Sequence, residues 1–423
     1  MLPKDKIASG AIRVIRKLED AGFEAYIVGG AVRDIMLDIE PKDFDLATSA
    51  TPEEIRGVFK GRARIIGRRF RLVHVYSDHT TFEVSTFRRE PTMDERKGRD
   101  GDEGLMVWRD NEWGSLDQDA RRRDFTVNAI YYDPLREENA IYDIVGGMDD
   151  IANKVVRTIG EPSVRMKEDP VRMLRACKLA GHYDFEFEPA LHKTIIESAD
   201  ELAKCSQARL LEELYKIFKK PYGLATFSAC RRMGLLKHLL PCLDSIWDEP
   251  TGQLAQRLLE VRDGRLADGT IFPSRVTGLA MVVLPTIWAE FGDPASGELW
   301  NNYMGIDKDV HYRIRELLEP YKVPRHMVAK IRETLILQPR LLYGGNRRRT
   351  TRHPQYARAR DVFSIFAEAA NLDPSLVNRW PERGEAEDDE SENNDDDEGG
   401  EGEGEGEGRR KRSRRRRRGG RRR

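Results

Sequence analysis

The apolar residues of the first 90 positions follow two different periods. Ile7, Ala11 and Ile15 recur at helical spacing, which predicts an amphipathic helix over residues 5–23. A further helix is predicted over residues 52–59. The segments typical of strands, with alternating or short apolar runs, are residues 25–28, 63–66, 71–76 and 81–87. Helices and strands mixed in this way predict one α/β or α+β domain, which we place at residues 1–160.

The pattern changes from about residue 164, where strand signals end and helical spacing continues. Val171 and Leu174 belong to one apolar stripe, and Leu210 and Leu214 belong to another. Such stripes predict an all-helical region that reaches residue 370. We divide the chain after the first domain into residues 161–225, 226–381 and 382–423.

The last of these segments has a different composition. It contains 15 acidic and 13 basic side chains, and all but one of each sign lie in an acidic block (residues 385–407) and an arginine-rich block (residues 409–423). A segment with so few apolar residues cannot bury a core, so we predict that residues 382–423 are disordered.

Several classes of protein are excluded. The longest apolar run, residues 279–289, is interrupted by Pro285 and is far shorter than the roughly 20 residues that span a bilayer. The N-terminal residues have no apolar core of a secretory signal. Four cysteines without a CxxC pair do not form a disulfide framework. We therefore expect a cytoplasmic protein that does not enter a membrane.

Two aspartates, Asp43 and Asp45, are separated by one residue in the segment KDFDLAT. On a strand, such side chains share a face and lie roughly 6–7 Å apart at the backbone. Two carboxylates repel each other unless a cation lies between them, and Mg²⁺ prefers oxygen ligands. The pair is therefore a candidate metal site, although a solvated strand face explains an isolated pair of this kind more simply.

A glycine turn precedes this pair by about fifteen residues. Gly29 and Gly30 follow a predicted strand and precede a predicted helix, whose first turns contain Arg33. Glycines at such a turn let the backbone approach a phosphate, and a guanidinium can bind it in bidentate fashion. Together with the aspartates, the turn indicates a nucleoside triphosphate site with bound metal; alone it is only a tight turn.

The segment GGAVRD at residues 29–34, followed by DFD at 43–45, resembles the GGxVRD and DxD motifs of the class II nucleotidyltransferases. That family contains the bacterial poly(A) polymerases and the CCA-adding enzymes and belongs to the DNA polymerase β-like superfamily. Residues 122–128 (RRDFTVN) and 168–172 (EDPVR) are similar to two further motifs of the family, in the same order.

The resemblance implies a polymerase β-like palm domain followed by a helical neck, body and RNA-binding region. It implies that Asp43 and Asp45 hold two Mg²⁺ ions, with Mn²⁺ as an alternative, and that Asp124 is a third catalytic carboxylate. Glu83, on the neighbouring predicted strand, is the rival for that role. The expected nucleotide-binding residues are Gly29, Gly30, Arg33, Arg122, Arg123, Asn128, Glu168, Asp169 and Arg172.

Asp169 and Arg172 are the candidates for reading the base. At i and i+3 they would share a helix face, where an acceptor beside donors matches the pairing edge of adenine or cytosine. Uracil and guanine would leave polar groups unpaired. The alternative is that Asp169, before Pro170, is only a helix N-cap.

Two further segments favour the poly(A) polymerase branch. Residues 65–75 (IIGRRFRLVHV) resemble a signature that separates these enzymes from CCA-adding enzymes, and no HD dipeptide of a phosphohydrolase domain occurs. The arginines near residue 350 combine cations with Tyr356, as expected for single-stranded RNA. The candidate RNA-binding residues are Arg347, Arg348, Arg349, Arg352 and Arg358.

We therefore predict template-independent addition of AMP, with ATP as substrate, to the 3′ ends of mRNA and other transcripts, which promotes RNA turnover. The alternative is a CCA-adding tRNA nucleotidyltransferase. The RNA-decay machinery is a candidate partner, and the expected state is a monomer.

Overall fold

A seven-stranded mixed sheet lies in the N-terminal part of the chain, in the order β3-β4-β5-β2-β1-β6-β7. Strands β2 and β5 are parallel, and every other neighbouring pair is antiparallel. The strands are β1 (Ala25–Val28), β2 (Asp45–Thr48), β3 (Ala63–Ile66), β4 (Leu72–Ser77), β5 (Thr80–Thr86), β6 (Ile130–Tyr132) and β7 (Ile141–Asp143).

These coordinates come from a computed structural model, which describes residues 2–67, 71–90, 112–138, 140–291, 303–344 and 346–382. The helices around the sheet are α1 (Ser9–Glu19), α2 (Gly30–Met36), α3 (Pro52–Phe59), α4 (Leu116–Arg122) and α5 (Gly147–Ala152). Short 3-10 helices occur at Lys4–Lys6, Lys60–Arg62, Thr126–Asn128 and Ala199–Lys204. The predicted mixture of helices and strands is confirmed, and the helix predicted over residues 5–23 is shorter because Gly22, at φ +89°, follows its end.

The alternation of side chains gives the sheet two different faces. Ile27 and Leu46 lie on the face that packs against α1 and α3 in the main apolar core. Tyr26 and Tyr131 lie on the opposite face in a smaller cluster, which Ala120 of α4 partly covers. Because Asp45 and Ala47 alternate with Leu46, Asp45 begins β2 on this second face.

The chain beyond residue 160 is almost entirely helical. One exception corrects the prediction of an all-helical region: β8 (Val155–Val156) pairs in parallel with β9 (Glu186–Phe187). The helices are α6 (Pro162–Glu168), α7 (Val171–Tyr183), α8 (Pro189–Ser198), α9 (Gln207–Phe218), α10 (Gly223–Arg232), α11 (Leu236–Leu239), α12 (Pro241–Asp244), α13 (Pro250–Ala267), α14 (Arg275–Phe291), α15 (Tyr303–Leu317), α16 (Arg325–Ile336), α17 (Gln338–Tyr343), α18 (Arg347–Thr351), α19 (Tyr356–Ala369) and α20 (Ser375–Asn378).

Residues 1–381 form one compact unit, so the boundaries proposed at residues 160 and 225 stay predictions. The tail predicted to be disordered lies outside the described residues except for Glu382. Within the described part of the chain, no helix combines the length and the apolar character needed to cross a membrane.

Candidate active site

Asp45 and Glu83 are direct neighbours on adjacent strands. Their Cα positions pair in the parallel β2–β5 register, so both carboxylates project from the same face of the sheet. Asp43 lies two residues before Asp45 and just outside β2, so the two aspartates do not share a regular strand as predicted. His74 lies on β4 opposite Glu83, and its Nε2 atom is 3.6 Å from Glu83 Oε1. The structure thus brings three carboxylates to one end of β2.

The local field at Asp45 is strongly negative. Desolvation by nearby protein atoms raises the pKa of Asp45, and Glu83 and Asp43 raise it further, to about 6, against the opposing effect of Arg123. A divalent cation would relieve this repulsion, and carboxylate oxygens suit Mg²⁺. In the described parts of the chain, no three carboxylate, imidazole or thiolate side chains already surround a common point. Carboxylates that repel are expected to stand apart until a cation draws them together.

The glycine turn lies beside the second arginine of the RRD motif. Gly29 has φ +78°, a conformation that L side chains rarely adopt, and it leads directly into α2. A Cβ atom at Gly29 would lie 3.8 Å from Arg123 Nη1. Asp119 and Tyr131 fix that guanidinium, because Arg123 Nη2 donates to Asp119 Oδ2 at 3.1 Å and Nε donates to the Tyr131 hydroxyl at 2.9 Å. The turn and Arg123 therefore lie together.

Arg122 lies in a crowded group of cations. Burial and, after it, the nearby guanidinium groups of Arg88, Arg123 and Arg165 together lower the pKa of Arg122 to about 9. Its Nη1 atom is 3.8 Å from Asp119 Oδ1. Since guanidinium groups repel one another at close range, such a cluster favours an anionic ligand nearby.

Arg33 is buried, with its guanidinium directed into the protein. It donates hydrogen bonds to Asn128 Oδ1 and the Tyr183 hydroxyl and forms an ion pair with Asp34 at 2.7 Å. Its guanidinium carbon also lies 4.3 Å from the centre of the Tyr183 ring. These contacts join α2 to α7 and support a structural role, and direct phosphate contact by Arg33 stays a prediction.

Asp124 lies in a basic setting. Arg175 Nη1 is 3.5 Å from Asp124 Oδ2, and the backbone N–H of Phe125 donates to Asp124 Oδ1 at 2.9 Å. Burial raises the pKa of Asp124, but Arg175 and Arg172 outweigh burial, so the net pKa is lowered. Asp124 is therefore an ionised acceptor among positive charges, whereas Asp45 lies beside two other carboxylates. Glu83 is the register neighbour of Asp45, and the role of Asp124 as the third catalytic carboxylate stays a prediction.

Asp169 and Arg172, which were expected to share a helix face, each pair with another residue, and their role in reading the base stays a prediction. Arg172 Nη1 donates to Glu168 Oε2 at 3.0 Å, whereas Asp169 Oδ2 accepts from Arg209 Nη2 at 2.7 Å. Asp169 Oδ1 also accepts from the Val171 N–H at 3.2 Å, at the first residue of α7. Helix α6 ends before Asp169 and α7 begins after Pro170, so the i, i+3 rule for a continuous helix does not apply.

Three arginines that the sequence motifs do not indicate contact predicted site residues: Arg165, Arg175 and Arg209. Arg175 follows Arg172 by three positions on α7, so helical spacing could have indicated it. Arg209 is 40 residues from Asp169 on α9, and no local signal connects the two.

The arginines near residue 350 lie at the surface. Asn346 caps α18, because its Oδ1 atom accepts from the Arg349 N–H at 3.0 Å. Arg358 is half-buried and donates to Gln355. Exposed to solvent are Arg347, Arg348, Arg349 and Arg352. Within the described residues, no ion pair joins these four to a carboxylate.

Comparison with known proteins decides the family. Residues 25–157 match the family model of the poly A polymerase head domain. Residues 184–246 match a model described as the probable RNA and SrmB-binding site of polymerase A, and residues 305–419 match the polymerase A arginine-rich C-terminus. The chain is also 34% identical over 392 residues to poly(A) polymerase I of Haemophilus influenzae, which covers 89% of this chain and 84% of the relative. The chain belongs to the poly(A) polymerase family.

Other relatives define the limits of this similarity. Poly(A) polymerase I of Escherichia coli is 32% identical over 390 residues, which covers 90% of this chain and 83% of the relative. The CCA-adding enzyme of a Geobacillus species is 36% identical, but over 229 residues, 54% of each chain. Among solved structures, the CCA-adding enzyme of Bacillus stearothermophilus in complex with CTP has a TM-score of 0.61 at 24% identity and covers 90% of this chain and 82% of that chain. This chain therefore shares its fold with that CCA-adding enzyme.

Proposed function

We propose that this poly(A) polymerase family member transfers AMP from ATP to the 3′-hydroxyl of RNA without a template and releases pyrophosphate. The extent of the matches carries the proposal. Poly(A) polymerase I of Haemophilus influenzae aligns over 392 residues, whereas a CCA-adding enzyme of similar identity aligns over 229. The C-terminal part of the chain therefore supports polyadenylation rather than CCA addition.

We assign metal binding to Asp43 and Asp45, with Glu83 as the third carboxylate. The donor set fits Mg²⁺ or Mn²⁺, because hard oxygen ligands are concentrated where Arg123 offsets the negative charge only in part. When bound, the metal would polarise the attacking hydroxyl and neutralise charge on the triphosphate.

We assign triphosphate binding to the glycine turn and to the two arginines of the RRD motif. The absence of a side chain at Gly29 lets the backbone of the turn approach phosphate oxygens, while Asp119 and Tyr131 hold Arg123 beside that turn. Arg122 adds positive charge among its neighbouring guanidinium groups. Base selection is assigned to Asp169 and Arg172 at the junction of α6 and α7.

RNA binding is assigned to the exposed arginines of α18 and the arginine block of the tail. One solved structure with a similar fold is the Thermotoga maritima CCA-adding enzyme complexed with tRNA. Its TM-score is 0.54 at 18% identity, and the match covers 89% of this chain and 83% of that chain. We further propose that the enzyme is a monomer, that it acts in the cytoplasm, and that it contributes to RNA decay together with other decay proteins.

The test supplies each nucleoside triphosphate singly, with Mg²⁺, to the full chain and one of two RNAs. One RNA is a generic transcript and the other is a tRNA that lacks its CCA end. Long A-tails on the transcript support the proposal. Addition of only C and A to the tRNA supports CCA addition instead, and no incorporation in any reaction indicates an RNA-binding protein without activity.

A further inference from the structure

Arg165 lies on α6, outside every motif that the sequence indicates, and its side chain is only 8% exposed. Its Nη2 atom donates to the backbone carbonyls of Arg122 and Arg123, at 2.5 and 2.8 Å. These carbonyls end α4, where no helical N–H can reach them and the helix dipole favours a cation. One guanidinium therefore holds the backbone of the RRD motif.

The same guanidinium also contacts the base-reading side of the site. Its Nη1 atom donates to Glu168 Oε2 at 3.0 Å and to Glu90 Oε1 at 3.1 Å. Glu168 Oε2 in turn accepts from Arg172 Nη1 at 3.0 Å, and Arg172 Nη1 also donates to the carbonyl of Arg165 at 2.7 Å. Arg172 is thus tied to Arg165 through both a side chain and the backbone.

The chemistry of these contacts requires arginine. A planar guanidinium presents several donors in a fixed fork, so two carbonyls and two carboxylates can be bound at once. A lysine would keep the charge but would concentrate it at one nitrogen, which cannot reach all four acceptors in the same geometry.

We propose that Arg165 is a positioning residue that sets the spacing between the RRD segment and Arg172, and thereby the strictness with which the site selects adenine over guanine. This inference rests on the proposed function, because the two ends are its phosphate-binding and base-reading groups. Without Arg165, α6 loses its attachment to the end of α4, and a triphosphate held at Arg123 no longer places its base at a fixed distance from Arg172.

The experiment measures equilibrium binding of ATP and GTP, with Mg²⁺, by the full chain and its Arg165→Lys variant. We expect the ratio of the GTP to the ATP dissociation constant to fall about tenfold, as small displacements in a preorganised site commonly cost that much or more. A merely structural role would lower the melting temperature without changing this ratio.

Arg262→Lys is the matched control. Arg262 is a buried arginine of α13 that also binds a backbone carbonyl, that of Phe218, and a carboxylate, Asp263 Oδ1 at 2.5 Å. This substitution should lower the melting temperature and leave the binding ratio unchanged. An equal fall of the ratio in Arg262→Lys would overturn the assignment.

A second variant covers the case in which Arg165→Lys does not fold. Glu90 is 52% exposed and contacts Arg165 from the surface, so Glu90→Ala should fold and reduce the ratio in the same direction by a smaller factor. An unchanged ratio in every folded variant, or a wild-type chain that does not prefer ATP, overturns the proposal. Because binding is measured apart from AMP transfer, altered ratios without any transfer by wild type would reject the proposed reaction and keep the role of Arg165.

Discussion

The carboxylate of Asp45 faces Glu83 across the β2–β5 pair, where neither side chain is needed for packing. We expect Asp45→Asn, and likewise Asp43→Asn, to reduce AMP addition at least roughly a hundredfold, because each removes one metal ligand. The melting temperature should stay equal or rise, since repulsion at this end of β2 is relieved.

Asp248→Asn is the control for these two variants. Asp248 is a strongly exposed surface partner of Arg231, and its loss should leave AMP addition unchanged. The measurement is initial rate at saturating RNA and ATP, together with thermal unfolding. Activity of Asp45→Asn within tenfold of wild type would reject the metal assignment.

Asp169 and Arg172 are the two residues proposed to select the base. Asp169→Ala or Arg172→Ala should weaken the preference for ATP over GTP and UTP more than it weakens binding of the triphosphate. Asp169→Ala also removes the acceptor for the Val171 N–H, at a cost of about 1 kcal/mol in unfolding free energy. Competition binding with all four nucleotides checks this. Unchanged preference in both variants would leave Asp169 with its capping role alone.

The identities of these residues could be predicted from sequence, but their partners could not. Short motifs indicated Asp45 and Arg172 because spacing within a few residues is local information. The pairing of Asp45 with Glu83 depends on the register of two strands 38 positions apart, and that of Asp169 with Arg209 on packing between α7 and α9. Because the chain leaves the helix between α6 and α7 at Pro170, Arg172 donates to Glu168 and not to Asp169.

At the level of elements, a buried ion pair joins α7 to α9. Lys178 Nζ donates to Glu213 Oε2 at 2.5 Å, and Lys216 Nζ lies 2.9 Å from Glu213 Oε1. Burial alone would raise the pKa of Glu213, but the two lysines outweigh it and lower the pKa to about 2. Helix periodicity predicted both helices, yet it did not predict this cross-helix contact, because the buried face was expected to be apolar.

Glu213→Gln should lower the unfolding free energy at neutral pH by about 3 kcal/mol, as expected when one partner of a buried pair is removed. The folded-state pKa is depressed below the ordinary value of 4.5. The contribution of Glu213 is therefore complete above about pH 4.5 and is lost as the pH falls through about 2.

Urea unfolding of wild type and Glu213→Gln between pH 3 and 7 measures this difference. It should shrink toward the acidic end. The exposed pair of Lys193 with Glu197 supplies the control, and Glu197→Gln should change the unfolding free energy by less than about 1 kcal/mol at every pH. A difference for Glu213→Gln that is constant over the range would show that its charge does not stabilise the contact.

At the scale of the whole molecule, opposed charge blocks follow the folded unit in sequence. The arginine block, residues 409–423, contains twelve cationic side chains, and the acidic block precedes it. Cations that neutralise RNA phosphates release counterions, so affinity depends steeply on salt. Deleting residues 409–423 should weaken RNA binding at low salt and flatten the slope of affinity against salt concentration. AMP addition at saturating RNA should be unchanged, because the proposed metal-binding and base-reading residues lie in residues 29–172.

Deleting residues 385–408 instead tests the acidic block. Its carboxylates repel RNA and compete with phosphates for the arginines, so this deletion should tighten RNA binding. Filter binding at several salt concentrations compares both deletions with the full chain, and a charge-neutral replacement of residues 385–408 by glycine and serine keeps the spacing. Unchanged or weaker affinity after neutral replacement would mean that the acidic block serves only as a spacer. Tighter binding by the replaced chain, with a steeper salt slope, would show that the block lowers RNA affinity through its charge.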